Sequence, residues 1–333
     1  MKTWSFVRYG GAVAALTIAS ACGNASPVAP SGAGALDQYV GTSEVPVVGA
    51  HPKLHAMPGY PVIAPDGNAK STTYEYIIDN YYTYAGIFNY PKSDRAIGYI
   101  NDVGGQGCTN VLYGYGNKIA WIVAASDNIA EYSVPKTKLR ALSDSIGAPS
   151  SCAMDSSGDL AVGILDGIDG GYVIVYKNAS GSGTKYPTAL SREYFDGYDP
   201  QGNLFADGLT KSYMFLLVEL PKGKSKVVTI KTSNKVNFPG SVQWDGTYLT
   251  LTDQETNEIY QYTVKGTKAI LKGTVKLVGA GDCAQTWNAG NVVYCADAGN
   301  ENGSAYNYPA GGAPIATFTG NFDLPLGTTA AKP

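Results

Sequence analysis

The side chains of this 333-residue chain that could do chemistry are mostly oxygen donors. Only two histidines occur, His51 and His55, and both lie ahead of residue 59. Their four-residue spacing would suit a metal on one face of a helix, but Pro52 and Pro58 disfavour a helix there. Beyond them the chain has no histidine, which excludes a Ser-His-Asp triad, a histidine general base and a His-ligated zinc or haem. No nucleophile motif takes their place. A ligand set made of oxygen suits calcium or magnesium rather than zinc. Asp166-Gly-Ile-Asp169-Gly-Gly and Asp297-Ala-Gly-Asn300-Glu-Asn302-Gly have the composition of calcium loops. Both lack the Asp-x-Asp-x-Asp-Gly spacing with a distal Glu. No cofactor is expected, with calcium as the alternative.

Tyrosine is the other anomaly: there are 25, and ten of them fall between Tyr60 and Tyr115. The phenol ring offers a large amphipathic surface at low entropic cost, so it suits faces that bind glycans or proteins. It is also a strand former that packs between sheets.

These residues are positioned by a repeat. An aromatic or apolar run closes one strand in Ile87-Phe88-Asn89-Tyr90, Ile129-Ala130-Glu131-Tyr132, Val173-Ile174-Val175-Tyr176, Leu217-Val218-Glu219-Leu220, Ile259-Tyr260-Gln261-Tyr262 and Ala305-Tyr306-Asn307-Tyr308. From Tyr90 through Tyr132, Tyr176, Glu219 and Tyr262 to Tyr308 the gaps are 42, 44, 43, 43 and 46. A period of about 40–50 residues is that of a four-stranded propeller blade. Each period also carries a Gly- or Asn-bearing turn, such as Asp155-Ser-Ser-Gly158-Asp159, Asp199-Pro-Gln-Gly202-Asn203 and Trp244-Asp245-Gly246. A second strand follows that often ends at Asp, as at Asp166, Asp207, Asp253 and Asp297. The fold class is therefore all-β, a six-bladed β-propeller of four-stranded antiparallel blades over residues 59–327. Innermost strands are expected near 60–65, 108–114, 151–155, 194–199, 240–245 and 283–288. Asn321–Gly327 either adds a strand to the first blade or packs beneath it, and 328–333 is a tail.

In such a ring the links between blades and the second-to-third-strand turns emerge on one face. That face would collect Asp102, Gln106, Asp127, Asp166, Asp169, Asp196, Asp207, Asp253, Asp282 and Asp297, together with Tyr81, Tyr82 and Tyr84. Gln106, Asp196, Asp282, Tyr81 and Tyr82 are the ligand-binding candidates. Each acid also has a simpler role, since Asp in a turn bonds its own backbone.

Four cysteines lie in the repeats. Cys283 and Cys295 flank Asn288-Ala289-Gly290 symmetrically, so hairpin pairing predicts a cross-strand disulfide. Cys108 and Cys152 occupy matching places on consecutive innermost strands. They bridge neighbouring blades if their Cα atoms lie within about 7 Å; the alternative is two buried free thiols.

With turns like Asp155-Ser-Ser-Gly-Asp-Leu, Asp199-Pro-Gln-Gly-Asn-Leu, Val242-Gln-Trp-Asp-Gly and Tyr308-Pro-Ala-Gly-Gly, residues 59–327 resemble the NHL and gluconolactonase-like group of six-bladed propellers, including bacterial propeller lipoproteins. The group contains lactonases, lyases and binding scaffolds, so the fold does not carry a function over. The resemblance implies a metal near the axis in gluconolactonase-like members, and Asp196, Asp282 and Asn101 are the stand-ins here. The expected function is a non-catalytic scaffold that binds a protein or glycan through its loop face. The alternative is a metal-assisted lactonase or lyase at the channel mouth.

Lys2 and Arg8 precede an apolar run from Gly10 to Ala21, ending in Ala19-Ser20-Ala21-Cys22. Residues 1–21 read as a lipoprotein signal peptide with Cys22 as the lipidated residue. Residues 22–58, rich in Ala, Gly, Ser and Pro, read as a disordered tether. The expected location is the cell envelope, with the chain lipid-anchored at the outer membrane or in the periplasm or cell surface, and monomeric. With 24 Lys plus Arg against 27 Asp plus Glu, nucleic acid is excluded as a partner. The run Lys222, Lys224, Lys226, Lys231 and Lys235 reads as a solvated outer edge.

Overall fold

The computed structural model describes residues 73–117, 119–124, 128–143, 148–165 and 170–332. The expected signal peptide, Cys22, the tether, both histidines and the strand expected near 60–65 lie outside these residues, as do Asp127, Asp166 and Asp169. Among the described residues the chain is all-β apart from one short 3-10 turn at Lys177–Ala179. It forms a propeller-like arrangement of four-stranded antiparallel sheets.

Three sheets are four-stranded, spanning residues 107–143, 148–187 and 283–318. An eight-stranded sheet consists of two antiparallel meanders, 192–232 and 242–276, joined where Lys231 and Thr232 run parallel to Lys268 and Ala269. The lysine-bearing edge expected to face solvent is therefore paired there for two residues. The fifth sheet closes the chain on itself: Pro325–Lys332 pairs antiparallel with Thr73–Asp79, which continues to Tyr84–Tyr90 and Gly98–Asn101. Residues 328–332, expected as a tail, are thus strand, and of the two placements open for Asn321–Gly327 the chain takes the added strand. Its segment Pro-Leu-Gly-Thr-Thr-Ala-Ala-Lys lacks the aromatic signature of the repeat. It is small enough to sit innermost, with Leu326, Ala330 and Ala331 fully buried.

Burial falls from the inside outward. Arg192–Tyr198, Cys283–Ala289 and Thr73–Asp79 are buried at every position, whereas Thr184–Pro187 at an outer edge is largely exposed. The repeat tyrosines Tyr132, Tyr176, Tyr262 and Tyr308 are buried between sheets. At about 25 cal/mol per Å² of apolar surface, such rings supply much of the driving force for sheet-on-sheet packing.

Two sets of aspartates shape the turns. Asp155 Oδ1 accepts the N–H groups of Ser157 and Asp159, and Asp199 Oδ1 those of Gln201 and Asn203. Gly158 and Gly202 supply the left-handed position in each (φ +91° and +82°). The second set ends the second strands. Asp79 accepts N–H groups from Asp323 and Leu324, Asp253 from Asn237 and Phe238, and Asp297 from Gly281 and Asp282. Each clips the incoming link to its own sheet.

Both disulfides form. Cys108–Cys152 joins innermost strands of neighbouring sheets with Cα atoms 5.8 Å apart. Cys283–Cys295 lies within one sheet at 5.5 Å. Its strands slip register between Cys283 and Thr286, so Cys295 faces Thr286 and the two cysteines are offset rather than directly opposite.

Candidate functional site

The axis is stitched rather than open. Gln106, expected as a ligand contact, is buried, and its Nε2 donates to the carbonyl of Tyr194 (2.8 Å). Gln285 Oε1 accepts the N–H groups of Gly107 (3.1 Å) and Thr328 (2.7 Å) while its Nε2 donates to the Gly107 carbonyl (2.8 Å). Gln243 bonds Leu112 and Asn288, and Ser241 Oγ donates to the Thr286 carbonyl. An opening beside these bonds, lined by Asp196, Tyr198, Gln243, Gln285 and Trp287 among others, has about 320 Å³ of empty space, open solvent included. Its enclosed part holds about one or two water molecules, too little for a sugar or lactone ring.

Beside this opening lies a buried acid cluster. Ser151 Oγ donates to Asp196 Oδ2 (2.6 Å), and Thr188 Oγ1 donates to Glu193 Oε2 (3.2 Å). A Cβ on Gly163 would sit against Ser151 Oγ, 2.8 Å from Asp196 Oδ2 and 3.2 Å from Glu193 Oε1, so the absent side chain makes room for the acids. Burial, above all, pushes the Asp196 carboxyl up to about 6 and carries those of Glu193 and Asp207 well above the ordinary carboxylate range. For Glu193 the neighbouring Asp196 adds to the rise, and for Asp207 the N–H groups of Gly240 and Phe195 oppose it. The Ser151 hydroxyl thus donates directly to the Asp196 carboxyl, with no imidazole between them.

The three metal stand-ins do not meet. Asn101 is exposed on the outermost strand of its sheet, Asp196 is buried on an innermost strand, and Asp282 is half-buried at the start of another. Among the described residues, the one set of three Cys, His, Asp or Glu ligand atoms within 4.8 Å of one another is Cys283, Cys295 and Asp297. Its two sulfurs are spent in the disulfide. Asp253 and Asp297, gathered from the sequence as rim acids, are the clips described above.

Tyr81 and Tyr82 behave differently. They top the turn between Thr73–Asp79 and Tyr84–Tyr90, and are 52% and 42% exposed. Their rings meet edge to face at 5.0 Å, and Tyr82 stacks at 6.4 Å on Tyr84, which stacks at 5.8 Å on Phe322. The turn is held from below: Asp79 Oδ1 accepts the Tyr82 N–H (2.7 Å), the Asn80 N–H donates to the Leu324 carbonyl (2.9 Å), and the Asn80 side chain accepts the Gly105 N–H. Burial, then Asp323, Asp79, Tyr81 and Glu301 in turn, raise the Tyr82 phenol above its usual range. The surroundings are therefore acidic.

The equivalent turn of the 192–232 meander carries Tyr213 and Met214, exposed at 64% and 62%. Tyr213 has φ +57°, an unusual conformation for a bulky residue, and the Arg192 guanidinium lies 4.7 Å from its ring centroid. Of Tyr213, Met214, Glu301 and Asp323, none was a binding candidate from sequence, Glu301 being noted only within a loop of calcium-binding composition. The repeat itself would have found the first three, because each falls after a second strand, at the same phase as Tyr81.

No family model and no curated protein matches the sequence. Among solved structures, the chain is similar to one in the crystal structure of a nidogen/laminin complex, with a TM-score of 0.58 at 14% identity over 78% of this chain and 98% of the other. That likeness carries the propeller arrangement. Nothing in it singles out the NHL or gluconolactonase-like group, and at such identity the site residues are this chain's own.

Proposed function

We propose that this chain is an exported, lipid-anchored six-bladed propeller that binds a protein partner, without catalysis, through the face bearing Tyr81, Tyr82, Tyr213 and Met214. The observation that carries the reading is the contrast between a stitched axis and the exposed aromatic and thioether side chains of two second-to-third-strand turns, Tyr113 being exposed besides in the connection between Gly107–Thr109 and Ile119–Ala124. Exposed Tyr and Met on rigid turns favour a protein interface, whose anchors are large side chains with little entropy to lose. The count of six is supported by the six sequence periods and by the two meanders within the eight-stranded sheet. Export and anchoring rest on the Ala19-Ser-Ala-Cys22 motif, and the two disulfides agree with an oxidising compartment. The solved neighbour comes from a protein complex, which agrees with this role.

The test is a photo-crosslinking amino acid placed singly at Tyr213 and Tyr82 and, on the opposite set of turns, at Lys222. Discrete adducts from the first two positions and none from Lys222 are expected in intact cells. Equal patterns from all three would refute a directed face. Separately, Cys22→Ser is expected to release the chain from the membrane fraction.

A further inference from the structure

Among the described residues, ion pairs join Arg140 to Glu131 and Lys276 to Glu258, and neither Asp323 nor Glu301 belongs to one. Asp323 is fixed beside the tyrosine turn because its own N–H donates to Asp79 Oδ2 (2.7 Å), the aspartate that also holds Tyr82. Glu301 sits exposed in the neighbouring second-to-third-strand turn with φ +54°, and its charge reaches Tyr82. Two exposed π faces thus stand on a rigid aromatic stack among unpaired carboxylates. A ring face and a carboxylate share one preference, for positive charge.

Resting on the reading that this face binds protein, we propose that Tyr81, Tyr82, Glu301 and Asp323 form a docking site for an arginine or lysine side chain presented by a protein partner. The chemistry separates this occupant from others. A hard metal ion needs several oxygens converging on one point, and no three acids among the described residues converge here. A neutral sugar would use the rings and leave the carboxylates idle. An anionic lipid surface would be repelled. A cationic side chain uses both groups, laying its stem or guanidinium plane on a ring and its charge beside the acids.

The experiment titrates the propeller by calorimetry, at low salt, with a nine-residue peptide of alternating glycine and arginine. A second peptide carries citrulline, which keeps the shape and hydrogen bonding of arginine and removes its charge. The arginine peptide is expected to bind about tenfold more tightly than its citrulline twin. That preference should vanish in the double variant Glu301→Gln, Asp323→Asn, whereas affinity for the arginine peptide should fall about tenfold in Tyr81→Leu, Tyr82→Leu. Glu255→Gln, a neutralised acid exposed in another turn, should keep it, with unchanged melting temperatures confirming that every variant is folded. Equal affinity for the two peptides, no binding of either, or undiminished preference in the Glu301/Asp323 variant overturns the proposal. So does tyrosine-dependent binding of a neutral oligosaccharide without arginine preference. If cross-links from Tyr213 persist while the arginine peptide fails, this inference falls alone; if both fail, the protein-binding reading falls with it.

Discussion

Replacing each cystine by a pair of alanines tests whether the propeller is stabilised by where its covalent links fall along the chain. Cys108–Cys152 closes a sequence separation of 44 residues, Cys283–Cys295 one of 12. In the loop-entropy account, constraining the unfolded chain over these lengths is worth about 4 and about 3 kcal/mol respectively at 25 °C. All four cysteines are buried, so the loss of sulfur packing is similar in the two variants and the difference isolates loop length. For roughly 260 residues of sheet, an unfolding entropy of about 2.1 cal/mol/K per residue converts these costs into drops of about 7 and about 5 °C in melting temperature. The assay is thermal and urea unfolding of wild type, C108A/C152A and C283A/C295A, followed by circular dichroism without reductant. A larger loss in C283A/C295A, or equal losses in both, would refute the reasoning. It would mean that the link within one sheet constrains at least as much as the link between two.

Stability should fall as pH rises above about 4, because Asp196 moves from an ordinary 3.8 to about 6 on folding and Glu193 and Asp207 move the same way. A raised carboxyl costs nothing while both states are protonated, and its penalty is complete once pH passes the folded value. For Asp196 alone that is about 3 kcal/mol at pH 7, so Asp196→Asn should melt at or above wild type at pH 8 and lose that advantage at pH 4.5; a wild type whose melting temperature is flat or rising from pH 5 to 8 would contradict this. Ending the chain at Asp323 should abolish the cooperative transition by removing the strand beside Thr73–Asp79, and a peptide of residues 324–333 should restore it in part, both seen by circular dichroism. Asp253→Ala, which strands the N–H groups of Asn237 and Phe238, should cost about 3 kcal/mol in urea unfolding, with Asp253→Asn intermediate.

What could be read from the chain in advance was whatever is local and periodic. The marker tyrosines repeat because each closes one strand against the next sheet, and Asp155 and Asp199 advertise their turns because they bond N–H groups two and four residues on. Both disulfides were legible from phase within the period. Closure was not, since Pro325–Lys332 joins a strand some 250 residues earlier and is selected for smallness rather than by pattern. The backbone-bonding role open to Asp253 and Asp297 is the one they play, whereas Gln106 was read as a ligand contact for a related reason. A polar residue near the axis looks the same in sequence whether it faces a ligand or the Tyr194 carbonyl, and only the partner 88 residues away distinguishes them. Tyr81 and Tyr82 drew notice through the density of tyrosine around them, and both are exposed. Tyr213 stands alone in its turn and gave no such signal.

The antiparallel pairing of Tyr74 with Ala331 also sets a direction. Thr73 lies at the strand end remote from Asp79 and the tyrosine turn that follows it. A force applied at Thr73 therefore acts at the opposite end of the strand from the tyrosine turn, like a stem below a flower head. On the anchoring proposed above, attachment ahead of Thr73 would leave the tyrosine turn at the far end of that strand.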